Sequence, residues 1–139
     1  MLGNTVDRRG LDLAKKAIAL IAHDSCKDDL VDWCLSNLEQ LSRYSLWATG
    51  TTGSVVAAKT GLDIHRVHSG PLGGDLQIGS KIVGGEIDIL IFFWDPLSSQ
   101  PHDPDIKALL RVAALKNIPV ATNQATADFL ISSPLLDGE

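Results

Sequence analysis

The sequence has few of the residues that stabilise secreted domains or bind metal through sulfur. Among 139 residues, 2 are cysteines and 5% are aromatic. Cys26 and Cys34 lie in a segment of helical character and are separated by about two helical turns, which is too far for a disulfide. No Cys-x-x-Cys pair is present to begin a zinc site. We therefore expect two free thiols in a reducing compartment.

Basic residues and long apolar runs are also scarce. Lys and Arg number 12 against 17 Asp and Glu, which gives a net charge of −5, and the basic residues are scattered, which argues against a nucleic-acid partner. The strongest apolar run, Ile87 to Phe93, is too short to cross a bilayer, and the first residues lack a basic region followed by an apolar core. We expect a soluble, cytoplasmic protein without a membrane partner.

Apolar runs of strand length alternate with segments of helical periodicity. The run Ala17 to Ala22 ends in polar residues, as is typical of a strand buried on both faces of a parallel sheet. Ser25 is expected to cap the next helix, which extends to about Arg43. The other predicted strands are Ser45 to Ala48, Asp63 to Val67, Ile87 to Phe93 and Ile118 to Ala121. The other predicted helices are Ser54 to Thr60, Leu76 to Val83, one capped by Asp103 that ends near Asn117, and Ala125 to Ile131.

This alternation predicts an α/β fold with an open, mostly parallel sheet and helices on both faces. The chain has the length of one domain. We assign that domain to residues 17–134, with a lead-in at 1–16 and a short polar tail at 135–139. In such folds ligands bind beyond the carboxyl ends of the strands.

The segment Thr49-Gly-Thr-Thr-Gly53 follows the second predicted strand and precedes a helix. Backbone N–H groups, threonine hydroxyls and a positive helix end can converge there on one anion, which predicts a phosphate site. Glycine and threonine also form ordinary turns, so a purely structural role is the alternative. Neither the dinucleotide fingerprint nor the Walker sequence is present, and NAD or ATP therefore has little support.

Titratable residues gather beyond several predicted strand ends. His23 and His102 are each followed by an aspartate. His65 lies inside a predicted strand, and we expect it to be a surface or hydrogen-bonding residue rather than a catalytic one. Asp75 follows two glycines and either favours the helix start or acts as a carboxylate base. Lys27 either contacts a bound anion or is merely solvated. Because no His-x-x-x-His pair occurs, we favour an acid/base site without metal.

Six segments at these strand ends match a known family in order and sequence. They are Ala22-His-Asp-Ser-Cys-Lys27, Ala48-Thr-Gly-Thr-Thr-Gly53, Ser69-Gly-Pro-Leu-Gly-Gly-Asp75, Phe92-Phe-Trp-Asp-Pro-Leu97, Pro101-His-Asp-Pro-Asp105 and Pro119-Val-Ala-Thr-Asn123. Together they resemble the methylglyoxal synthase family over about residues 17 to 134. The resemblance implies a five-stranded parallel sheet of order 3-2-1-4-5 and a homohexamer. It also implies conversion of dihydroxyacetone phosphate to methylglyoxal and inorganic phosphate, with no metal or organic cofactor.

The resemblance also implies roles for individual residues. Asp75 is the base that removes a C3 proton, His102 is the electrophile or proton shuttle, and Asp24 and Asp105 belong to the same catalytic set. The residues expected to contact the substrate, chiefly its phosphate, are His23, Lys27, Thr49, Gly50, Thr51, Thr52, Ser69, Gly70 and Asp95. Inorganic phosphate, the product, is expected to occupy this site as an inhibitor.

Two alternatives remain open, because the allosteric domain of carbamoyl phosphate synthetase and the cyclohydrolase domain of purine synthesis share this fold. The first binds phosphorylated effectors without chemistry. The joint presence of Asp75, His102 and Asp105 favours the enzyme. One departure from the family concerns a tail whose arginine reaches a neighbouring subunit: no arginine follows Arg111 here, which puts such a contact in doubt.

Overall fold

The computed structural model describes residues 15–137. A five-stranded parallel sheet of order β3-β2-β1-β4-β5 forms the centre of the fold, which confirms the predicted fold class and strand order. The strands are β1 Ala17–Ala22, β2 Ser45–Ala48, β3 Ile64–Arg66, β4 Ile89–Phe93 and β5 Val120–Ala121. The helices are α1 Lys27–Ser36, α2 Leu38–Leu41, α3 Gly50–Thr60, α4 Gly74–Val83, α5 Asp103–Leu115 and α6 Gln124–Ser132.

Strand β1 is the middle strand and pairs with β2 on one side and β4 on the other. Ala19 is in register with Trp47 and with Leu90. All of its residues are buried, because helices cover both faces of the sheet. This explains why its sequence is continuously apolar rather than alternating.

Two hydrophobic layers flank the sheet. On one face α1, α2, α3 and α6 contribute Leu30, Leu41, Val56 and Ala127. On the other face α4 and α5 contribute side chains such as Ile78, Ile82 and Leu109. Each fully buried leucine or isoleucine contributes roughly 1.5–3 kcal/mol through removal from water, so the two layers fix the sheet and the loops at its carboxyl edge.

Two helices begin earlier than the sequence predicts. Helix α3 starts at Gly50 rather than Ser54, and α4 starts at Gly74 rather than Leu76. Glycine has a low helix propensity, but backbone hydrogen bonds to the segment after β3 hold both positions. The N–H of Gly50 donates to the carbonyl of His68 at 3.1 Å, and the N–H of Gly74 donates to the carbonyl of Ser69 at 2.9 Å. The segment predicted as a loop after β2 is thus the first turn of α3.

The predicted caps were wrong at two helices. Cys26, not Ser25, is the N-cap residue of α1, because the Ser25 hydroxyl is bound to a carboxylate in a distant loop. His102, not Asp103, is the N-cap of α5, and Asp103 is its first residue. The helix predicted to continue to Arg43 is interrupted at Asn37, which divides it into α1 and α2.

The segments at the two ends are only partly within the described range. Of the predicted lead-in 1–16, residues 1–14 lie outside it, and the same holds for residues 138 and 139 of the predicted tail. A 3-10 turn at Pro134–Asp137 places Leu136 in the core. The Tyr44 hydroxyl donates to Asp137 at 2.6 Å. Within residues 15–137 no helix has the length and apolar character needed to cross a bilayer.

Candidate active site

A pocket of about 270 Å³ opens at the carboxyl edge of the sheet. It is formed by the segments that follow β1, β2, β3 and β4, as expected for an open parallel sheet. Its size suits a small metabolite rather than a dinucleotide. The lining residues are Ile21, Ala22, His23, Asp24, Ser25, Thr49, Gly70, Pro71, Asp75, Asp95, Ser98, Gln100 and His102.

Asp75 lies in the first turn of α4 and is only 1% exposed. Neither of its carboxylate oxygens has a hydrogen-bond partner within residues 15–137, and its Oδ2 lies 3.4 Å from His102 Nε2. Burial raises the pKa of Asp75, His102 opposes that shift, and the negative charge of Asp105 adds to it. A carboxylate that is desolvated and not hydrogen-bonded is a stronger base than an ordinary aspartate.

Two glycines allow Asp75 to occupy this position. A Cβ on Gly74 would lie 1.9 Å from the carbonyl oxygen of His68, so the turn before α4 can pack this closely only with glycine. A Cβ on Gly70 would lie 3.1 Å from His102 Nε2 and 3.2 Å from Asp75 Oδ1. Without a side chain at Gly70, the space over the Asp75–His102 pair stays open for a reacting atom.

His102 contacts the pocket from the start of α5. Its side chain is 9% exposed, and its Nδ1 is buried with no partner in the described part of the chain. The His102 ring meets the His23 ring edge-on, with centroids 6.3 Å apart. The two imidazoles thus lie on adjacent walls of one pocket and can contact the same small ligand.

His23 follows β1 and is 6% exposed. Its Nδ1 accepts a hydrogen bond from the backbone N–H of Asp95 at 3.0 Å, and its ring packs edge-on against Phe92. Because a backbone N–H can only donate, Nδ1 carries no proton, and the neutral ring carries its proton on Nε2. Burial lowers the pKa of His23, and the neighbouring His102 lowers it further. His23 therefore offers an N–H donor from a neutral ring.

Of the three threonines after β2, Thr49 and Thr52 are buried and Thr51 is exposed. Thr52 Oγ1 donates to the Ala22 carbonyl and accepts from the Ala22 N–H, each at 3.3 Å, and it also accepts from the Thr49 hydroxyl. The Thr52 hydroxyl therefore ties α3 to the end of β1. At a helix start the second and third N–H groups, here those of Thr51 and Thr52, have no intrahelical acceptor. Together with the positive helix end they can bind an anion.

Lys27 is held at the end of β1. Its Nζ donates to the Ala22 carbonyl and to Asp24 Oδ1, both at 2.8 Å, and its side chain is 15% exposed. The hydrogen bond from Lys27 lowers the pKa of Asp24. One of the three ammonium protons is left for a ligand.

The structure brings together part of the predicted site. The predicted residues that line the pocket are His23, Asp24, Thr49, Gly70, Asp75, Asp95 and His102. The others lie on the same segments without lining it: Lys27, Gly50, Thr51, Thr52, Ser69 and Asp105. Sequence reasoning did not predict Ser25, Pro71, Ser98 or Gln100 as site residues. Pro71 lies within the glycine-rich segment from Ser69 to Asp75 quoted above. The polar loop after β4 has no sequence pattern that would identify Ser98 or Gln100 as pocket residues.

The arrangement combines a buried base, two imidazoles and an anion-binding helix end. In the described part of the chain no group of three or more His, Cys, Asp or Glu side chains is placed to hold a metal ion. A carboxylate base beside N–H donors can remove a proton next to a carbonyl and stabilise the charge that develops on oxygen.

Comparisons with known proteins agree with this chemistry. A family model described as "MGS-like domain" matches residues 29–122. A methylglyoxal synthase of Proteus mirabilis is 62% identical over 125 residues, which cover 90% of this chain and 82% of the relative. One of Vibrio parahaemolyticus is 58% identical over 126 residues, or 91% of this chain and 83% of the relative. The crystal structure of methylglyoxal synthase from Elizabethkingia anophelis superposes with a TM-score of 0.85 at 51% identity, covering 89% of this chain and 82% of that one.

Proposed function

The chain belongs to the methylglyoxal synthase family, and we propose how its site converts dihydroxyacetone phosphate to methylglyoxal and inorganic phosphate. Asp75 removes a proton from C3 and leaves an enediolate. The C1–O bond to phosphate then breaks, and the phosphate leaves with the electron pair. The enol that remains is protonated at C1 and becomes methylglyoxal.

One observation carries the assignment of the base. Asp75 is 1% exposed and has no hydrogen-bond partner within residues 15–137, yet it faces the pocket beside His102 Nε2 at 3.4 Å. A structural aspartate at a helix start would be hydrogen-bonded to backbone N–H groups. An unpaired buried carboxylate is costly to folding, and such strain is found mainly at functional sites.

The two histidines face the oxygens where charge develops. His23 presents a neutral Nε2–H, and His102 lies next to the carboxylate. We assign both to the carbonyl and hydroxyl oxygens of the substrate, with His102 also moving a proton between them. Donors placed in advance in a water-poor pocket stabilise an enediolate more than mobile water does.

The phosphate is assigned to the start of α3, to Lys27 and to the turn at Ser69 and Gly70. The Lys27 ammonium donates to the Ala22 carbonyl at the end of β1, and the Thr52 hydroxyl in the first turn of α3 bonds to the same residue. An enediolate eliminates phosphate when the C–O bond lies out of its plane and isomerises when the bond lies in the plane. We infer that this clamp holds the bond out of plane.

Two further assignments concern the surroundings of the enzyme. We propose a homohexamer, as the family resemblance implies, with inorganic phosphate acting as both product and inhibitor. We also place the enzyme in the cytoplasm. The free thiols Cys26 and Cys34 support a reducing compartment.

The test is to incubate the protein with dihydroxyacetone phosphate and measure methylglyoxal, phosphate and glyceraldehyde 3-phosphate in the same samples. We expect methylglyoxal and phosphate in equal amounts. Glyceraldehyde 3-phosphate as the main product would refute the out-of-plane geometry. Binding of the substrate without turnover would instead favour the regulatory domain, although the relatives reported above are named as synthases.

A further inference from the structure

A chain of hydrogen bonds joins the loop after β1 to the loop after β4. The Ser25 hydroxyl donates to Asp95 Oδ2 at 2.7 Å. The backbone N–H of Asp95 donates to His23 Nδ1 at 3.0 Å, and the backbone N–H of Leu97 donates to Asp95 Oδ1 at 3.0 Å. Ser25 thus contacts the residue that holds the His23 ring, although 70 positions separate Ser25 from Asp95.

The direction of these hydrogen bonds decides whether His23 Nε2 is a donor or an acceptor. If the ring turned over, or if the Asp95 N–H moved away, Nδ1 could carry the proton instead, and Nε2 would become an acceptor. An acceptor facing the substrate would repel the oxygen on which charge develops, whereas a neutral N–H donor stabilises it.

The Asp95 backbone needs an anchor because Asp95 lies in an irregular segment between β4 and α5. Its neighbours Trp94 and Leu97 are exposed, so packing alone does not fix it. The two oxygens of its carboxylate are held from opposite sides, one by the Leu97 N–H of the same loop and the other by Ser25. Ser25 thus ties the Asp95 side chain to the segment after β1, in addition to the backbone hydrogen bond from Asp95 to His23.

We propose that Ser25 is a positioning residue: its hydroxyl holds Asp95 so that His23 is fixed as a neutral Nε2–H donor toward the substrate. This inference rests on the proposed function for its catalytic consequence, but the orientation of the proton on His23 is a property of the protein itself. Ser25 does not touch the reacting atoms. It acts through the Asp95 backbone.

The experiment compares Ser25→Ala and Ser25→Thr with the wild type. Ring-nitrogen NMR signals of His23, assigned with a His23→Gln variant and read with saturating inorganic phosphate, report which nitrogen carries the proton. In the wild type and in Ser25→Thr we expect Nε2 to be protonated. In Ser25→Ala we expect a second population protonated on Nδ1, and a kcat lower by roughly five-fold, the effect of one hydrogen bond, with KM nearly unchanged.

Ser42→Ala is the matched control, because Ser42 is an exposed serine whose hydroxyl donates to the Glu39 carbonyl outside the pocket. It should change neither the His23 signals nor kcat. Unchanged His23 signals in Ser25→Ala would overturn the proposal. Altered His23 signals with a wild-type kcat would do the same. So would a lowered kcat in Ser25→Ala that is equally low in Ser25→Thr. If the wild type fails to turn over dihydroxyacetone phosphate, the proposed function fails, and the NMR comparison still decides whether Ser25 orients His23.

Discussion

His102 Nε2 lies 3.4 Å from Asp75 Oδ2, and neither Asp75 oxygen has a hydrogen-bond partner among residues 15–137. Asp75 lies in the first turn of α4 and His102 is the N-cap of α5, and these two helices pack on the same face of the sheet. The separation of the two side-chain atoms is slightly longer than a good hydrogen bond. A substrate carbon and its proton can therefore enter beside the carboxylate without first breaking a strong ion pair.

Replacing Asp75 with asparagine should abolish turnover and leave phosphate binding largely intact. The amide has nearly the shape of the carboxylate but cannot take a proton, so we expect kcat to fall by at least about 10³-fold, within the range for a general base. Coupled product assays and phosphate titration by calorimetry give the two values. Asp63→Asn, an exposed aspartate before β3, is the control, and substantial activity in Asp75→Asn would remove Asp75 from its role.

The same variant should be more stable than the wild type at neutral pH. Because burial raises the pKa of Asp75 above the ordinary 3.8, the folded state binds this proton more tightly than the unfolded chain. Stability therefore falls as pH rises above that ordinary value, and at pH 7 the charged form destabilises the fold. We expect Asp75→Asn to melt at least about 3 °C higher at pH 7, a shift typical of 1 kcal/mol in a domain of this size. The difference should shrink toward pH 4, and a lower melting temperature at pH 7 would contradict the argument.

A methyl group on Gly70 should block the pocket without unfolding the protein. It would lie 3.1 Å from His102 Nε2 and 3.2 Å from Asp75 Oδ1, where the substrate must sit, and we expect kcat to fall by about 100-fold. Gly79→Ala is the matched control, since Gly79 lies inside α4 and its Cβ would meet Val112 of α5 at 3.6 Å, an ordinary contact distance. That variant should keep full activity and gain about 0.5–1 kcal/mol of unfolding free energy. Equal activity in both variants would place the substrate elsewhere.

Two neighbouring threonines should respond differently to valine. Thr52→Val removes the hydroxyl that bonds to both backbone groups of Ala22, so the free energy of unfolding should fall by about 1 kcal/mol. Thr51 is exposed, and Thr51→Val should leave that free energy within about 0.5 kcal/mol while weakening phosphate binding. Denaturant titrations and phosphate calorimetry separate the effects. The reverse pattern would show that Thr52, rather than Thr51, offers its hydroxyl to the ligand.

Lys27 should matter for substrate affinity more than for folding. Lys27→Gln removes the charge-assisted hydrogen bond that we propose to the phosphate, so KM should rise by at least about 10-fold. Asp24→Asn should change stability little, because the Asp24 side chain is 97% exposed and solvent screens such pairs. Lys59→Gln, an exposed lysine in the last turn of α3, is the control for loss of one positive charge. A KM that stays at the wild-type value in Lys27→Gln would rule out a phosphate contact.

Sequence patterns predicted two of the strands, β1 and β2, with the bounds that the structure shows. The run Ala17 to Ala22 matches β1 residue for residue, because a strand covered on both faces needs apolar side chains throughout. The other three strands were predicted too long: for example, the pattern predicted Ile87 to Phe93, but only Ile89–Phe93 pairs as β4. Apolar residues continue into the connection before the ladder begins, and periodicity alone does not mark that point.

Contacts between distant segments could not be read from local patterns. The early start of α3 depends on the carbonyl of His68, which lies after β3 in another segment. Ser25 was expected to cap its own helix, as its type favours, but it binds Asp95 across the sheet edge. The local sequence patterns include the donor Ser25 and the acceptor Asp95. They do not show that β1 and β4 are adjacent strands, which is what brings the two residues together.

The order of the site segments along the chain has a consequence for the synthesis of the protein on the ribosome. The segments assigned to phosphate follow β1, β2 and β3, whereas His102 comes only after β4, which pairs with β1 on the side opposite β2. A ribosome must therefore synthesise the chain past His102 before the Asp75–His102 pair can exist. On the roles that we propose for Asp75 and His102, no shorter nascent chain holds both halves of the site, and we expect a truncated product to bind an anion at most.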